Sequence, residues 1–173
     1  WYLTRQAGGL TDDQFEENPR ASYRDRNWFR VKWNVMSVSV NHEFSSNSKL
    51  DVRLFGLLAS REALGFLGPP NQSDPISNPS SSEQSNYRDL IYGEFNNIGA
   101  ELRYLQHYQI RKQPQALVTG VRLYKGLTRS KQAAADSSFA AVFQYVDVVA
   151  NESSSSHPSG NIAWFAENVF NIS

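Results

Sequence analysis

The sequence contains no cysteine, which excludes disulfide bonds and cysteine-ligated metal sites. It also lacks any apolar run approaching the roughly 20 residues that a membrane helix needs, and its mean hydropathy is −0.52. Lysine and arginine together number 17, as do aspartate and glutamate, so the formal net charge is +0. A neutral chain has no bulk electrostatic attraction to nucleic acid, and we expect no nucleic-acid partner.

Motifs of catalysis are missing as well. There is no Gly-x-Ser-x-Gly, no glycine-rich phosphate loop and no EF-hand spacing. The three histidines, His42, His107 and His157, are scattered and have no second ligand at metal-site spacing. We therefore expect no enzymatic activity, no catalytic residues, no cofactor and no metal bound directly by the protein.

What the sequence has is aromatic residues, at 13%, and segments in which apolar and polar residues alternate. Alternation with a period of two predicts half-buried β-strands, and aromatic residues are enriched in strands. We predict about six strands, in or near residues 1–5, 28–44, 50–61, 96–110, 117–124 and 161–172.

The connections between these segments alternate in length. Ser45–Ser48 and Arg111–Gln115 are tight turns by composition, whereas Gly8–Asn27, Glu62–Asp89 and Thr128–Gly160 are long. Short periplasmic turns and long extracellular loops are typical of outer-membrane barrels. We predict an all-β fold of antiparallel up-and-down strands that forms part of a transmembrane β-barrel. Six strands cannot close a barrel with a useful lumen, so residues 1–173 are expected to be a partial barrel domain of a larger receptor.

The long connections carry local predictions of their own. Thr11 and Gln14 form a capping box that predicts a short helix over Asp12–Glu17. Residues 125–138 and Ser153–Ser156 are expected to be loop because they are polar, and the β-prone segment Phe139–Ala150 is expected to form a hairpin within the third connection.

Several stretches resemble the TonB-dependent outer-membrane receptors, and most closely their ferric-dicitrate-type branch. The resemblance runs over almost the whole chain, and its most specific part is Gly8-Gly9-Leu10-Thr11. The other residues that carry it are Gln14-Phe15, Asn18-Pro19-Arg20, Arg26-Asn27-Trp28-Phe29, 54–61, 64–68, 95–101 and 166–172.

This resemblance implies a 22-stranded barrel in the bacterial outer membrane, filled by an N-terminal plug. It implies extracellular loops that bind a ferric chelate as transported ligand, and energy supplied by the TonB complex. The chain shows neither the plug domain nor the TonB-contacting segment, so both partners would be engaged through other parts of the receptor. Outer-membrane lipid is the remaining expected partner.

Arginines near the predicted helix are the candidate ligand-binding residues. A ferric citrate complex is a small polyanion, and guanidinium groups bind carboxylates in a bidentate manner and stay charged. The candidates near the helix are Arg5, Arg20, Arg24 and Arg26. In the alternative interpretation they form weak surface pairs with nearby acids, namely Asp12, Asp13, Glu16, Glu17 and Asp25. Arg61 is a further candidate, because among the charges on the polar faces of the strands it lies nearest a loop end; in its own alternative interpretation it contacts the plug or water inside the barrel.

Two other functional interpretations stay open. The chain could be a soluble, secreted, β-rich ligand-binding domain, or the same type of receptor could carry another cargo, such as a siderophore, haem, cobalamin or a glycan. The first is testable by geometry, because it requires the apolar faces of the strands to pack against a second sheet. The side chains to inspect are Leu50, Val52, Leu54, Leu102 and Tyr104.

Overall fold

A computed structural model describes residues 1–72, 74, 87–147 and 152–170. These residues contain one helix, α1, and six strands. In chain order the elements are β1 (Tyr2–Arg5), α1 (Asp12–Glu17), β2 (Trp28–Ser45), β3 (Ser48–Gly65), β4 (Arg88–Ile110), β5 (Gln113–Ala135) and β6 (Ser153–Val169). In this part of the chain, no helix has the length and apolar character to cross a membrane.

The six strands form one sheet in the order β1-β2-β3-β4-β5-β6. Each strand therefore pairs with its neighbour in sequence, and the strands run antiparallel, up and down. At the first edge, Tyr2 is opposite Val31 and Arg5 is opposite Trp28. The predicted all-β, up-and-down architecture is confirmed.

The first tight turn occurs where the sequence predicts it; the second is shorter than predicted, because β5 begins at Gln113 and only Arg111 and Lys112 lie between the strands. The β2–β3 turn is closed by side chains, because the Ser45 and Ser48 hydroxyls lie 2.9 Å apart and the Asn47 N–H donates to Ser45 Oγ at 3.2 Å. In the β4–β5 turn, Arg111 and Lys112 have φ angles of 50° and 68°. Two consecutive left-handed residues give a turn whose twist matches that of the flanking strands.

Three predictions for the third long connection are wrong. β5 continues to Ala135 although residues 125–138 were expected to be loop, and β6 begins at Ser153 although Ser153–Ser156 were expected to be loop. Backbone pairing with a neighbouring strand satisfies the main-chain groups whatever the polarity of the side chains. The expected hairpin over Phe139–Ala150 is not formed: in its described part, 139–147, the only pairing is a bridge between Tyr145 and Ala135.

The chain divides into two compact units. The first comprises residues 1–33, 59–94 and 129–156. It holds a small core of Leu64, Leu90 and Ala135, against which Trp28 and Phe143 pack. Helix α1 also belongs here, and its predicted capping box is confirmed: Thr11 Oγ1 accepts from the Gln14 N–H at 3.3 Å, and Gln14 Oε1 accepts from the Thr11 N–H at 3.0 Å.

The second unit comprises residues 34–58, 95–128 and 157–173. Among the residues that the structure describes, none of the buried apolar side chains belongs to this unit. It is a single layer of paired strands, and many of its large apolar side chains are exposed.

Candidate functional site

The long connections of the first unit meet around two buried arginines. The Arg26 side chain is fully buried. Its Nε donates to Asp74 Oδ2 at 3.0 Å, its Nη2 forms an ion pair with Asp74 Oδ1, and its Nη1 donates to the Ser137 carbonyl at 2.9 Å. One guanidinium therefore joins the segment before β2, the connection after β3 and the connection after β5.

Arg88, the first residue of β4, completes the arrangement. Its side chain is also fully buried and forms an ion pair with Asp136. Its Nε donates to the Asp136 carbonyl at 2.9 Å, and its Nη1 donates to the carbonyls of Ala140, at 2.9 Å, and of Arg26, at 3.2 Å. We call Arg26, Arg88, Asp74 and Asp136 the arginine clamp.

Charge in the clamp shifts the pKa of Asp136. Partial burial raises this pKa, but hydrogen bonds from Arg88 and Ser138, together with the positive charge of Arg88, outweigh it. The net effect is a pKa below the ordinary value of 3.8. Asp136 is therefore ionised at neutral pH, as the ion pair with Arg88 requires.

A second arginine contact joins the same connections. Arg24 is buried, and its Nη2 donates to the carbonyls of Gly68, at 3.3 Å, and Pro69, at 2.9 Å. Its guanidinium also lies 4.9 Å from the centre of the Phe66 ring. The segment before β2 is thus fixed to the residues that follow β3.

A charged pair in the strands supports the clamp. Arg30 of β2 forms a bidentate pair with Glu62 of β3, in which Nη2 donates to Oε1 at 2.6 Å, and its guanidinium lies 4.1 Å from the centre of the Phe143 ring. Bidentate arginine–carboxylate geometry adds orientation as well as energy.

The structure separates the five predicted ligand-binding arginines into two groups. Arg24 and Arg26 are buried and hold the connections together, whereas Arg5, Arg20 and Arg61 are exposed. Arg5 lies over the Trp28 ring, 4.2 Å from its centre. The Arg20 guanidinium has no hydrogen bond or ion pair within the described ranges.

Of the four clamp residues, only Arg26 is a candidate from the sequence. The alternative interpretation paired Arg26 with acids of its own connection, but its partner is Asp74, 48 residues away. Arg88 was not singled out, and its partner Asp136 is also 48 positions distant. A single sequence has no local signal for such pairs.

The second unit has one strongly apolar face. Large side chains from five consecutive strands are exposed there: Val38 on β2, Leu54 on β3, Ile98 on β4, Leu123 on β5 and Ile162 on β6, with exposures from 46% to 79%. They line two adjoining depressions that share Leu54 and Ile98. The apolar surface is therefore continuous across the strands.

The opposite face carries charge. Glu101 of β4 forms an ion pair with Arg103 and lies 3.8 Å from Nε of Arg122 on β5. The Arg122 guanidinium in turn lies 5.2 Å from the centre of the Phe55 ring. Arg103 and Arg122 remain about half exposed. One side of this unit is thus apolar, and the other is polar.

This geometry answers the question of a second sheet. The structure describes one sheet. Of the five side chains to inspect, Leu54 and Leu102 are 55% and 39% exposed, and Leu50, Val52 and Tyr104 are half-buried. No group of three or more histidine, aspartate or glutamate side chains in the described residues could hold a metal ion.

Comparison with solved structures identifies a similar fold. The chain is similar to the crystal structure of the ferric citrate transporter FecA in the unliganded form, with a TM-score of 0.69 and 16% identity over 96% of this chain. At this identity the likeness is one of fold: the antiparallel, up-and-down sheet of this chain matches a part of that structure. A much weaker match is the membrane pore complex of pneumolysin, with a TM-score of 0.14 and 9% identity. It covers 90% of this chain and 34% of the other.

The match covers only a part of the transporter: this chain spans 22% of its length. No family model and no curated protein matches the chain. The similar structure is that of a transporter, and at 16% identity the likeness concerns the fold.

Proposed function

We propose that this chain is a barrel segment of a larger TonB-dependent outer-membrane receptor that imports a ferric chelate of the citrate type. The observation that carries the proposal is the two-faced sheet of the second unit, whose apolar side chains lie uncovered across five strands. Soluble monomers rarely expose contiguous apolar patches of more than a few hundred Å². Outer-membrane lipid would cover this face, with the charged face turned toward the lumen.

The proposed receptor needs further chain. A sheet of six strands has two edges, and unpaired edges in lipid leave main-chain groups unsatisfied, which costs several kcal/mol for each group. Additional strands would close the barrel. The plug domain and the TonB-contacting segment would also lie elsewhere in the receptor, consistent with the 22% share of the similar transporter that this chain covers.

The first unit would supply part of the ligand-binding vestibule. Arg5, Arg20 and Arg61 are exposed there, and the Arg20 guanidinium, which has no ion pair among the described residues, would bind a carboxylate of the chelate most directly. Arg24 and Arg26 would contribute indirectly, since their hydrogen bonds fix the segment before β2, which also carries Arg20.

The soluble alternative is less well supported. A secreted domain would have to keep Val38, Ile98 and Ile162 in contact with water, at exposures of 64%, 67% and 79%. Exposure of large apolar side chains in one patch favours aggregation or association.

Uptake by the complete receptor tests the proposal. We expect saturable uptake of radiolabelled ferric citrate by bacteria that carry the receptor, and no accumulation in a host without TonB. Competition with siderophore, haem, cobalamin and a glycan distinguishes the cargoes. A membrane-inserted receptor that takes up no ferric citrate would overturn the citrate assignment, and recovery of the protein in the soluble fraction would overturn the membrane placement.

A further inference from the structure

A groove crosses the apolar face of the second unit. Its walls are Leu54, Ile98, Leu123 and Ile162, and small residues form its floor: Ala100 on β4 and Gly160 on β6. A Cβ atom added at Gly160 would meet only the Tyr124 carbonyl, at 3.7 Å, which is an ordinary van der Waals contact. The volume, about 680 Å³, falls within the range of small-molecule sites.

Lys125 lies at one end of this groove. Its side chain is exposed and has no ion pair or hydrogen bond in the described parts of the chain. An unpaired cation beside an apolar groove complements a ligand that combines a hydrocarbon chain with an anionic group.

The position of Lys125 along β5 fits a membrane boundary. From Gln113, where β5 begins, to Lys125 the strand extends about 40 Å at roughly 3.4 Å per residue. A tilt of about 45° reduces this to roughly 28 Å along the membrane normal, close to the ~25 Å height of the apolar band of a barrel. Lys125 would therefore lie at the level of lipid headgroups, and the groove would extend from it toward the hydrocarbon.

We infer that this groove binds one acyl chain of an anionic, phosphate-bearing membrane lipid, with Lys125 paired to the phosphate. The inference rests on the membrane placement proposed above. Hydrocarbon is already the solvent of this face, so the groove gains only packing contacts by exchanging one chain for another. Lys125 supplies the preference for an anionic headgroup.

Lipid retention by the complete receptor tests the inference. The receptor would be purified into detergent, mixed with equal amounts of phosphatidylglycerol and phosphatidylcholine, and examined by native mass spectrometry. We expect bound phosphatidylglycerol to exceed phosphatidylcholine, and Lys125→Ala to reduce that preference about fivefold, the effect of one basic residue near an anionic surface. Lys125→Arg should retain the preference.

Two further variants distinguish lipid binding in the groove from a general effect of surface charge. Gly160→Leu, whose Cβ would meet the Tyr124 carbonyl at an ordinary contact distance and whose remaining atoms would occupy the groove, should reduce retention of both lipids. Lys32→Ala removes an exposed lysine of β2 that does not line the groove and should leave the preference unchanged.

Each outcome has a defined meaning. Wild-type lipid retention in both Lys125→Ala and Gly160→Leu would overturn the inference while leaving the receptor proposal standing. A change of oligomeric state in Gly160→Leu without loss of lipid would also overturn it and assign the groove to contact between copies. Failure of the wild-type receptor to insert into a bilayer is the separate result that contradicts the proposed function.

Discussion

Nη1 of Arg88 donates a hydrogen bond to the main-chain carbonyl of Arg26 at 3.2 Å, and both side chains are buried. This bond links the two halves of the arginine clamp, one paired with Asp74 and the other with Asp136. Loops usually vary and move because few contacts restrain them. Here, charged hydrogen bonds join described residues of three connections, so these residues are expected to be ordered before any ligand binds.

Replacing Arg88 should loosen the connections that the arginine clamp joins. Arg88→Ala removes the arginine partner of the Asp136 carboxylate and the donor to three carbonyls. We expect a local destabilisation of about 3 kcal/mol, the lower end of the range for breaking a buried pair, because the Asp136 side chain keeps 35% exposure. Hydrogen exchange in residues 136–147 should report the loss.

A matched control exists for this experiment. Arg129→Ala removes an arginine of β5 that is about half exposed and 3.4 Å from Glu94. An exposed pair contributes at most about 1 kcal/mol, so exchange in residues 136–147 should barely change. Equal effects of the two substitutions would show that the clamp does not hold the connections.

Acidification should loosen the Arg88–Asp136 half of the clamp. The folded-state pKa of Asp136 lies below its ordinary value of 3.8. The stability that depends on this carboxylate is therefore fully present above about pH 4 and is lost as the pH falls through the lowered value. Proteolysis of the connection by an acid-active protease should rise in that window. In Asp136→Asn the rise in proteolysis at low pH should be absent. If this variant shows the same dependence of proteolysis on pH as the wild type, other acids cause the effect.

Gly65 should tolerate no side chain. It has a φ of +157°, and an added Cβ would lie 2.0 Å from Asn27 Oδ1, the atom that accepts the Phe66 N–H at 2.9 Å. Gly65→Ala should therefore displace Asn27 and lower the thermal stability of the receptor by several degrees. Adding Asn27→Gly to Gly65→Ala should restore only part of the lost thermal stability, since the Cα of residue 27 would still be 2.9 Å from the new Cβ. Full restoration, or no loss at all, would contradict this account.

The fold could be predicted from the sequence because its determinants are local. Alternation along Leu50–Arg61 marks a strand with two different faces, and the composition of Ser45–Ser48 marks a turn. The capping box of Thr11 and Gln14 is complete within four residues. In contrast, the ends of β5 and β6 depend on the neighbouring strand, so the polar residues at those ends were misassigned as loop.

The arginine clamp could be predicted only in part. Arg24 and Arg26 attracted attention as candidates for an anionic ligand, but burial by distant segments decides their role. Ser137 and Asp74 contact Arg26 only after the strands have brought three connections together. The number of charged residues is evident from the composition, but which of their side chains become buried is not.

Arg20 should contribute directly to chelate binding. Its guanidinium is exposed and has no ion pair among the described residues, so a ligand carboxylate would meet no competing acid. A hydrogen bond to a charged group contributes about 1.5–3 kcal/mol, and Arg20→Ala should raise the Kd for ferric citrate roughly ten- to a hundredfold. The melting temperature should not change. Arg26→Ala should lower both the affinity for ferric citrate and the order of the connections. This difference distinguishes a residue that contacts the ligand from one that holds the connections in place. An unchanged Kd in Arg20→Ala would remove Arg20 from the binding site.

Val38 and Ser37 test which face of the sheet meets lipid. They are neighbours on β2 that point to opposite sides, and Val38 is 64% exposed on the apolar face. An arginine on the lipid side of a barrel costs about 2–4 kcal/mol at mid-membrane, so Val38→Arg should reduce the yield of folded receptor in lipid vesicles. Ser37→Arg adds the same group to the polar face and should fold as the wild type does. Electrophoretic mobility without heating distinguishes folded from unfolded barrel. If Ser37→Arg is the more damaging substitution, the faces are assigned the wrong way round.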